Sequence, residues 1–171
     1  MLRWLVRLVV LLAFVAPQAA ALGALGLYIH FSRDLPQVPT VEAFRPAQGS
    51  TLHAADGRLL GRLATERREV VPLTRMPPTL LQAFLAAEDK RFFEHEGVDW
   101  RATARAMLAN LLAKRTVQGA STLTQQLCKD LVGRQRSYER KAREAILARR
   151  TEMRLSKLEI LYLYLNQIYL G

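Results

Sequence analysis

The sequence predicts a mainly α-helical protein with one small β-hairpin and a membrane-spanning helix at its N-terminus. Three observations carry that prediction. Residues 8–31 form an uncharged, largely apolar run of 24 residues. From Pro77 onward, apolar side chains recur at helical spacing between recognisable capping residues. Residues 51–63, arranged around the turn-forming pair Asp56-Gly57, supply the β signal.

Arg3 and Arg7 precede the apolar run, and Arg33 and Asp34 close it. At about 1.5 Å of rise per residue, the run is long enough for the roughly 30 Å hydrocarbon core of a bilayer. The basic residues before it place the N-terminus in the cytoplasm and the remainder outside. A cleavable signal is the competing reading, because Pro17 and Gln18 interrupt the run and Ala19, Ala20 and Ala21 suit a cleavage site. The apolar stretch continues well past a usual signal core, which favours a retained anchor over residues 1–32.

Residues 33–50 contain Pro36, Pro39 and Pro46 without periodicity and read as an extended stalk. After the hairpin, Val70-Val71-Pro72 adds a short extended segment. Pro77 and Pro78 open an amphipathic helix expected to reach His95, with Leu80, Leu81, Phe84, Leu85 and Phe92 apolar. Asp99 caps a helix to about Lys114. Gln118-Gly119-Ala120 makes a loop, and Thr122 with Gln125 fits a capping box starting the next helix. A basic helix follows over 137–155. Ser156 caps the last one, which is apolar on all sides and therefore expected to be buried. One exported domain over 51–171 accommodates these elements.

Lys and Arg number 25 against 15 Asp and Glu, a net charge of +10 that calls for an anionic partner. Eight basic and three acidic residues between Arg134 and Arg154 put +5, half the excess, into one helix-length stretch. These basic residues lack interleaved aromatics and any nucleic-acid reading motif, so no nucleic acid is expected on an exported chain. A single cysteine, Cys128, excludes an internal disulfide framework and a Cys-based zinc cluster.

Three polar constellations sit on the helices. At about 100° per residue, Glu88 projects in the same stripe as Leu81, Phe84 and Phe92. A carboxylate there is costly unless it lines a cavity or finds partners, and desolvation should raise its pKa, which suits a general base. Asp89 follows it, and His95 falls on the same face if the helix continues. His95 reads equally well as a core histidine bonded to backbone.

The second constellation runs from Gly119 to Gln126. Leu123, Leu127 and Leu131 make its apolar stripe, while Thr122, Gln126 and Lys129 align on a polar face. Neutral donors beside a lysine at a glycine-led helix start suit sugar hydroxyls and a phosphate. Ordinary N-capping explains the same spacing. The third is Arg136 with Arg140, Lys141 and Glu144, the last three opposite a stripe of Ala142, Ala145, Ile146 and Met153. Arginines grip phosphate oxygens bidentately and a lysine adds a point charge. Leu147 and Ala148 on the charged side imply partial burial rather than a solvated face.

Together these runs resemble the glycosyltransferase family 51 domain, the peptidoglycan glycosyltransferase of bacterial cell-wall synthesis. The motif EDxxFxxHxG is matched by Glu88, Asp89, Phe92, His95 and Gly97. GxSTxTQQ is complete from Gly119 through Ser121, Thr122 and Gln125 to Gln126, with Lys129 following. RKxxE is Arg140, Lys141 and Glu144, and a fourth motif spans Lys157 to Asn166. Tyr162 stands where the family usually carries Glu. The wording is closest to the class A penicillin-binding proteins and covers roughly residues 51–171.

The resemblance implies a lysozyme-like helical lobe, with a smaller lobe near the membrane and lipid II as substrate. It implies that Glu88 deprotonates the acceptor 4-hydroxyl, and that Lys129, Arg136, Arg140 and Lys141 neutralise departing undecaprenyl pyrophosphate. Glu144 would be a second catalytic carboxylate, orienting that cluster or helping to hold a divalent cation such as Mg²⁺. Asp89, Phe92, His95, Ser121, Thr122, Gln125, Gln126 and Asn166 would bind substrate. The implied partners are lipid II, the growing glycan strand, membrane lipid and other cell-wall synthesis proteins. The implied location is the bacterial inner membrane, with the domain on the periplasmic side. Gly171 precedes the family's fifth motif, so the domain is expected to be C-terminally incomplete, with no transpeptidase domain and no penicillin binding. Two other readings stand beside this one. A lysozyme-like glycan hydrolase is disfavoured by the cationic cluster, since a neutral leaving group needs an acid. An inactive truncated copy would only bind lipid II or partner proteins.

Overall fold

The computed structural model of the protein describes residues 2–45, 50–63, 69–133 and 137–168. Helix α1, Leu2–Ser32, is continuous through Pro17 and contains a span, Val9–Ser32, long and apolar enough to cross a membrane. None of that span is buried against the rest of the chain. Residues 33–45 are irregular, as their prolines dictate, but they are not a free stalk. Val38, Val41 and Phe44 pack on the core of the helical lobe.

Strands β1, Ser50–His53, and β2, Leu59–Leu63, pair antiparallel with Ser50 opposite Leu63. The expected Asp56-Gly57 turn closes them. Gly57 adopts φ +83°, which a side chain would resist, and Asp56 accepts hydrogen bonds from the Arg58 backbone and guanidinium. A 3₁₀ turn, Leu73–Arg75, then leads into the helical lobe.

The lobe comprises α2 (Pro78–Glu88), α3 (Trp100–Ala113), α4 (Leu123–Val132), α5 (Tyr138–Glu152) and α6 (Lys157–Gln167). Their starts follow the capping chemistry. Asp99 accepts from the Ala102 N–H, Ser137 from Arg140, and Thr122-Gln125 and Ser156-Glu159 form complete capping boxes. Helix α6 is the hub: Ile160, Leu161, Leu163, Tyr164 and Leu165 join Phe92, Leu123 and Leu127 in the main core. Each such large apolar side chain contributes roughly 1.5–3 kcal/mol by leaving water. Helix α4 lies against both α5 and α6, and Cys128, Leu147 and Ala148 form a second small cluster between α4 and α5.

Three helical expectations are corrected. Helix α2 ends at Glu88 instead of reaching His95, because Asp89 leaves helical geometry and turns through 90–94 follow. The Asp89 carboxylate is drawn into tertiary hydrogen bonds that a continuing helix would not allow. On α5 the buried face is Glu144, Leu147, Ala148 and Thr151, whereas Met153 is exposed. The charged side of this helix is therefore its inward side. On α4, Leu131 is exposed and the buried stripe ends at Leu127 and Cys128.

Candidate active site

A cleft of about 520 Å³ opens between the C-terminal end of α2, the first turns of α3 and the loop before α4. Glu88, Asp89, Ser121 and Thr122 all line it. Glu88 is exposed rather than buried. It continues the face carrying Leu81, Phe84 and Leu85, but as the last residue of α2 it passes beyond the core edge into the cleft. The direction read from the periodicity holds, and the expected desolvation does not.

Glu88 is nevertheless held. The Gln126 side-chain amide donates to Glu88 Oε2 at 2.8 Å, and the Tyr164 hydroxyl donates to Gln126 Oε1 at 3.2 Å. Burial raises the pKa of the Tyr164 hydroxyl, and the nearby Glu88 charge raises it further. Tyr164 was not among the expected site residues. The available signal was a phenol on a helix apolar all round, where its hydroxyl must find a partner.

Asp89, His95, Thr122 and Gln125 are buried and tied into one latch, of which Asp89 and Thr122 reach the cleft wall. His95 Nδ1 accepts the Gly97 N–H at 3.2 Å, so Nε2 carries the proton and donates to Asp89 Oδ2 at 2.9 Å. The same Asp89 oxygen accepts the Leu123 N–H at the start of α4. Thr122 Oγ1 donates to the Gly97 carbonyl at 2.6 Å and caps Gln125. Phe92 is in the core, with Lys157 Nζ 4.5 Å above its ring and donating to the His95 carbonyl.

The third constellation meets the cleft at Ser121. Lys141 Nζ donates to Ser121 Oγ at 2.9 Å and to Glu144 Oε1 at 3.1 Å, while Arg140 donates to Glu144 Oε2 at 2.6 Å. Glu144 is buried and holds both cations, of which Lys141 reaches the cleft wall through Ser121. Lys90, Arg91 and Arg105 also line the cleft, cations the motif reading did not single out.

The remaining expected residues go elsewhere. Lys129 is exposed on α4 and does not line the cleft. Asn166 clamps the segment before the 3₁₀ turn, accepting the Val71 N–H at 2.8 Å and donating to the Val71 carbonyl at 3.0 Å. Arg136 lies outside the described residues. A divalent cation fits poorly at Glu144, since Arg140 and Lys141 engage both its oxygens. Among the described residues no group of three or more His, Cys, Asp or Glu gathers to hold a metal.

The sequence is 42% identical over 154 residues to penicillin-binding protein 1A of Aquifex aeolicus (strain VF5), covering 90% of this chain and 21% of that protein. It is 43% identical over 147 residues to penicillin-binding protein 1A of Escherichia coli (strain K12), covering 85% and 17%. The homologue of Neisseria flavescens is 43% identical over 138 residues, covering 80% and 17%. The chain thus spans about a fifth of the length of these curated relatives. A family model described as Transglycosylase matches residues 56–171, which takes in the hairpin turn, the cleft and all four motifs. With the first two of those motifs lining the cleft, the chain belongs to the transglycosylase family.

Proposed function

We propose that the protein is a membrane-anchored peptidoglycan glycosyltransferase that polymerises lipid II into β-1,4 glycan with inversion and release of undecaprenyl pyrophosphate. In this reading residues 1–32 anchor it in the bacterial inner membrane, and 51–171 form the transferase domain on the periplasmic side. One observation carries the proposal: an acid and a lysine-held serine share one cleft, which Lys90, Arg91 and Arg105 also line. Glu88 stands at one end of α2 and Ser121, held by Lys141, stands in the same cavity.

Glu88 takes the proton of the acceptor 4-hydroxyl, which attacks the anomeric carbon of the lipid-linked donor. Gln126 fixes Glu88 Oε2, so Oε1 is the oxygen offered to the hydroxyl. The leaving diphosphate needs charge neutralisation more than a proton donor, and preorganised cations supply it. Lys141 and Arg140, aligned by the buried Glu144, take that role with Ser121 as the contact at the cleft wall. Asp89, His95, Thr122 and Gln125 keep the motif loops in register through their mutual hydrogen bonds. The relatives' name and the family match support the transferase reading over hydrolysis. Anchored through residues 1–32, the domain stays at the membrane surface beside a lipid-borne substrate, which raises its effective concentration.

The test is conversion of labelled lipid II to polymer by the chain in lipid vesicles. Glu88→Gln keeps the Gln126 contact geometry and removes the base, so polymer formation should vanish while the circular dichroism spectrum stays unchanged. Polymer made at the parent rate would remove Glu88 from the mechanism. Release of soluble sugars from purified cell wall by the parent chain would replace transfer with hydrolysis.

A further inference from the structure

A second cavity, of about 180 Å³, opens where α1 gives way to the irregular segment and meets α5. Pro36, Val38, Leu147 and Leu155 supply its apolar wall, and Arg150 and Arg154 its charged wall. Among the described residues no acidic side chain lines it. Arg150 is half-buried and donates to the carbonyl of Ser32, the last residue of α1, at 3.4 Å. The cavity is therefore tied to the level at which the apolar span ends. Arg154 is exposed, and among the described residues its guanidinium has no partner.

We infer that this cavity binds the headgroup of an anionic phospholipid. Two guanidinium groups match phosphate oxygens bidentately, and no carboxylate stands among the described lining residues to oppose them. The volume is below that of usual small-molecule sites, which suits a headgroup whose chains remain in the bilayer. The apolar wall receives the carbons next to the phosphate. Basic side chains at a membrane surface attract anionic lipid, and here they stand at the end of a span. This site is separate from the cleft, since the two cavities share no lining residue. Lipid bound there would fix the tilt of the lobe on the membrane. The inference rests on α1 being the membrane anchor and is independent of the transfer reaction.

The full chain is reconstituted into phosphatidylcholine bilayers containing a minority of phosphatidylglycerol, and retained lipid is counted by native mass spectrometry after gentle extraction. The parent chain should retain phosphatidylglycerol selectively. Arg154→Gln should weaken that retention about fivefold, in line with one basic residue near a charged surface. Because Arg154 is exposed and unpartnered, this variant should fold, which circular dichroism checks. Arg150→Gln with Arg154→Gln should abolish selectivity, while the charge-matched Lys114→Gln with Arg115→Gln should preserve it. Equal loss in both double variants would mean diffuse surface charge and overturn the inference. So would displacement by soluble glycerol phosphate as readily as by lipid, which would mark a free-phosphate site. Insertion without selectivity for phosphatidylglycerol overturns this inference alone; failure to insert overturns the anchor reading and this inference with it.

Discussion

Gln126 grips Glu88 through its amide at 2.8 Å and is itself held by the Tyr164 hydroxyl at 3.2 Å, so a buried helix positions an exposed carboxylate. Glu88 ends α2 at the edge of the core, where its own helix contributes no further turn to restrain it. Its orientation is therefore set across the lobe, from α6 through α4. This arrangement keeps the acid in water, able to meet a hydroxyl, without leaving it free to rotate.

Tyr164→Phe tests that relay. The ring keeps its edge contact with Phe84, whose centroid lies 6.4 Å away, and only the hydroxyl is lost. A neutral hydrogen bond is worth about 1 kcal/mol, so if it acts only in holding Glu88, kcat should fall about fivefold. Acceptor KM should change little, and the melting temperature should shift only slightly. A pH–rate profile separates the roles: loss of positioning lowers the plateau, while a proton-transfer role would move the limbs. An unchanged kcat would leave Tyr164 as packing.

Much of the fold is legible from local chemistry. The caps at Asp99, Thr122, Ser137 and Ser156 and the Asp56-Gly57 turn each involve partners within a few residues, so their outcome is decided locally. The segment after Glu88 is different. Its apolar spacing fits a longer helix, yet Asp89 instead satisfies Leu123 N–H 34 residues away and His95 beside it. Periodicity cannot register such a competitor. The same limit applies to α5: Arg140 and Lys141 pair with Glu144 within one helical turn, but its burial comes from α4 packing on α5, which periodicity does not register. At the site, the motif residues were found but their layers were not. Glu88, Ser121 and Thr122 line the cleft with Lys141 bonded to Ser121, while Gln125, His95 and Asn166 are tied into hydrogen bonds within the lobe.

Gly97→Ala should destabilise the lobe. Gly97 adopts φ +93°, and a Cβ there would sit 2.8 Å from the Ala148 carbonyl carbon and oxygen and the Arg149 nitrogen. Those are backbone atoms of α5, which cannot step aside as a flexible side chain does. Strain and overpacking together should cost roughly 2–4 kcal/mol, measured by thermal or urea denaturation. The loss should extend to the latch, because the Gly97 N–H and carbonyl bind His95 and Thr122. An unchanged melting curve would contradict the close approach of this loop to α5.

Cys128 makes a pH prediction. Burial pushes its thiol from the ordinary 9.0 up to about 12, only partly offset by the Thr151 hydroxyl. The folded chain keeps the thiol neutral, whereas the unfolded chain ionises it near 9.0. The associated stability is complete below pH 9 and is lost as the pH rises toward 12. Cys128→Ala should remove that part of the alkaline loss, seen as a shallower fall in melting temperature over this range. Iodoacetamide at neutral pH should leave the native thiol unmodified and label it fully in urea.

Lys141→Met isolates the contribution of the cationic shelf. Lys141 Nζ bridges Ser121 on the cleft wall and the buried Glu144, so it both delivers charge and offsets a carboxylate. Methionine retains most of the stem and removes both functions. Arg140 still engages Glu144 Oε2, so the helix should remain folded, with a modest drop in melting temperature. Polymer formation should fall on the order of a hundredfold, the scale of losing one preorganised stabiliser of developing negative charge. Lys114→Met removes the same charge at the C-terminal cap of α3, and Lys114 does not line the cleft, so it should leave turnover near the parent value. The contrast between the two, read as kcat with saturating donor, distinguishes a local role from bulk electrostatics. Equal losses would show that net charge, not the Ser121–Lys141 contact, carries the effect.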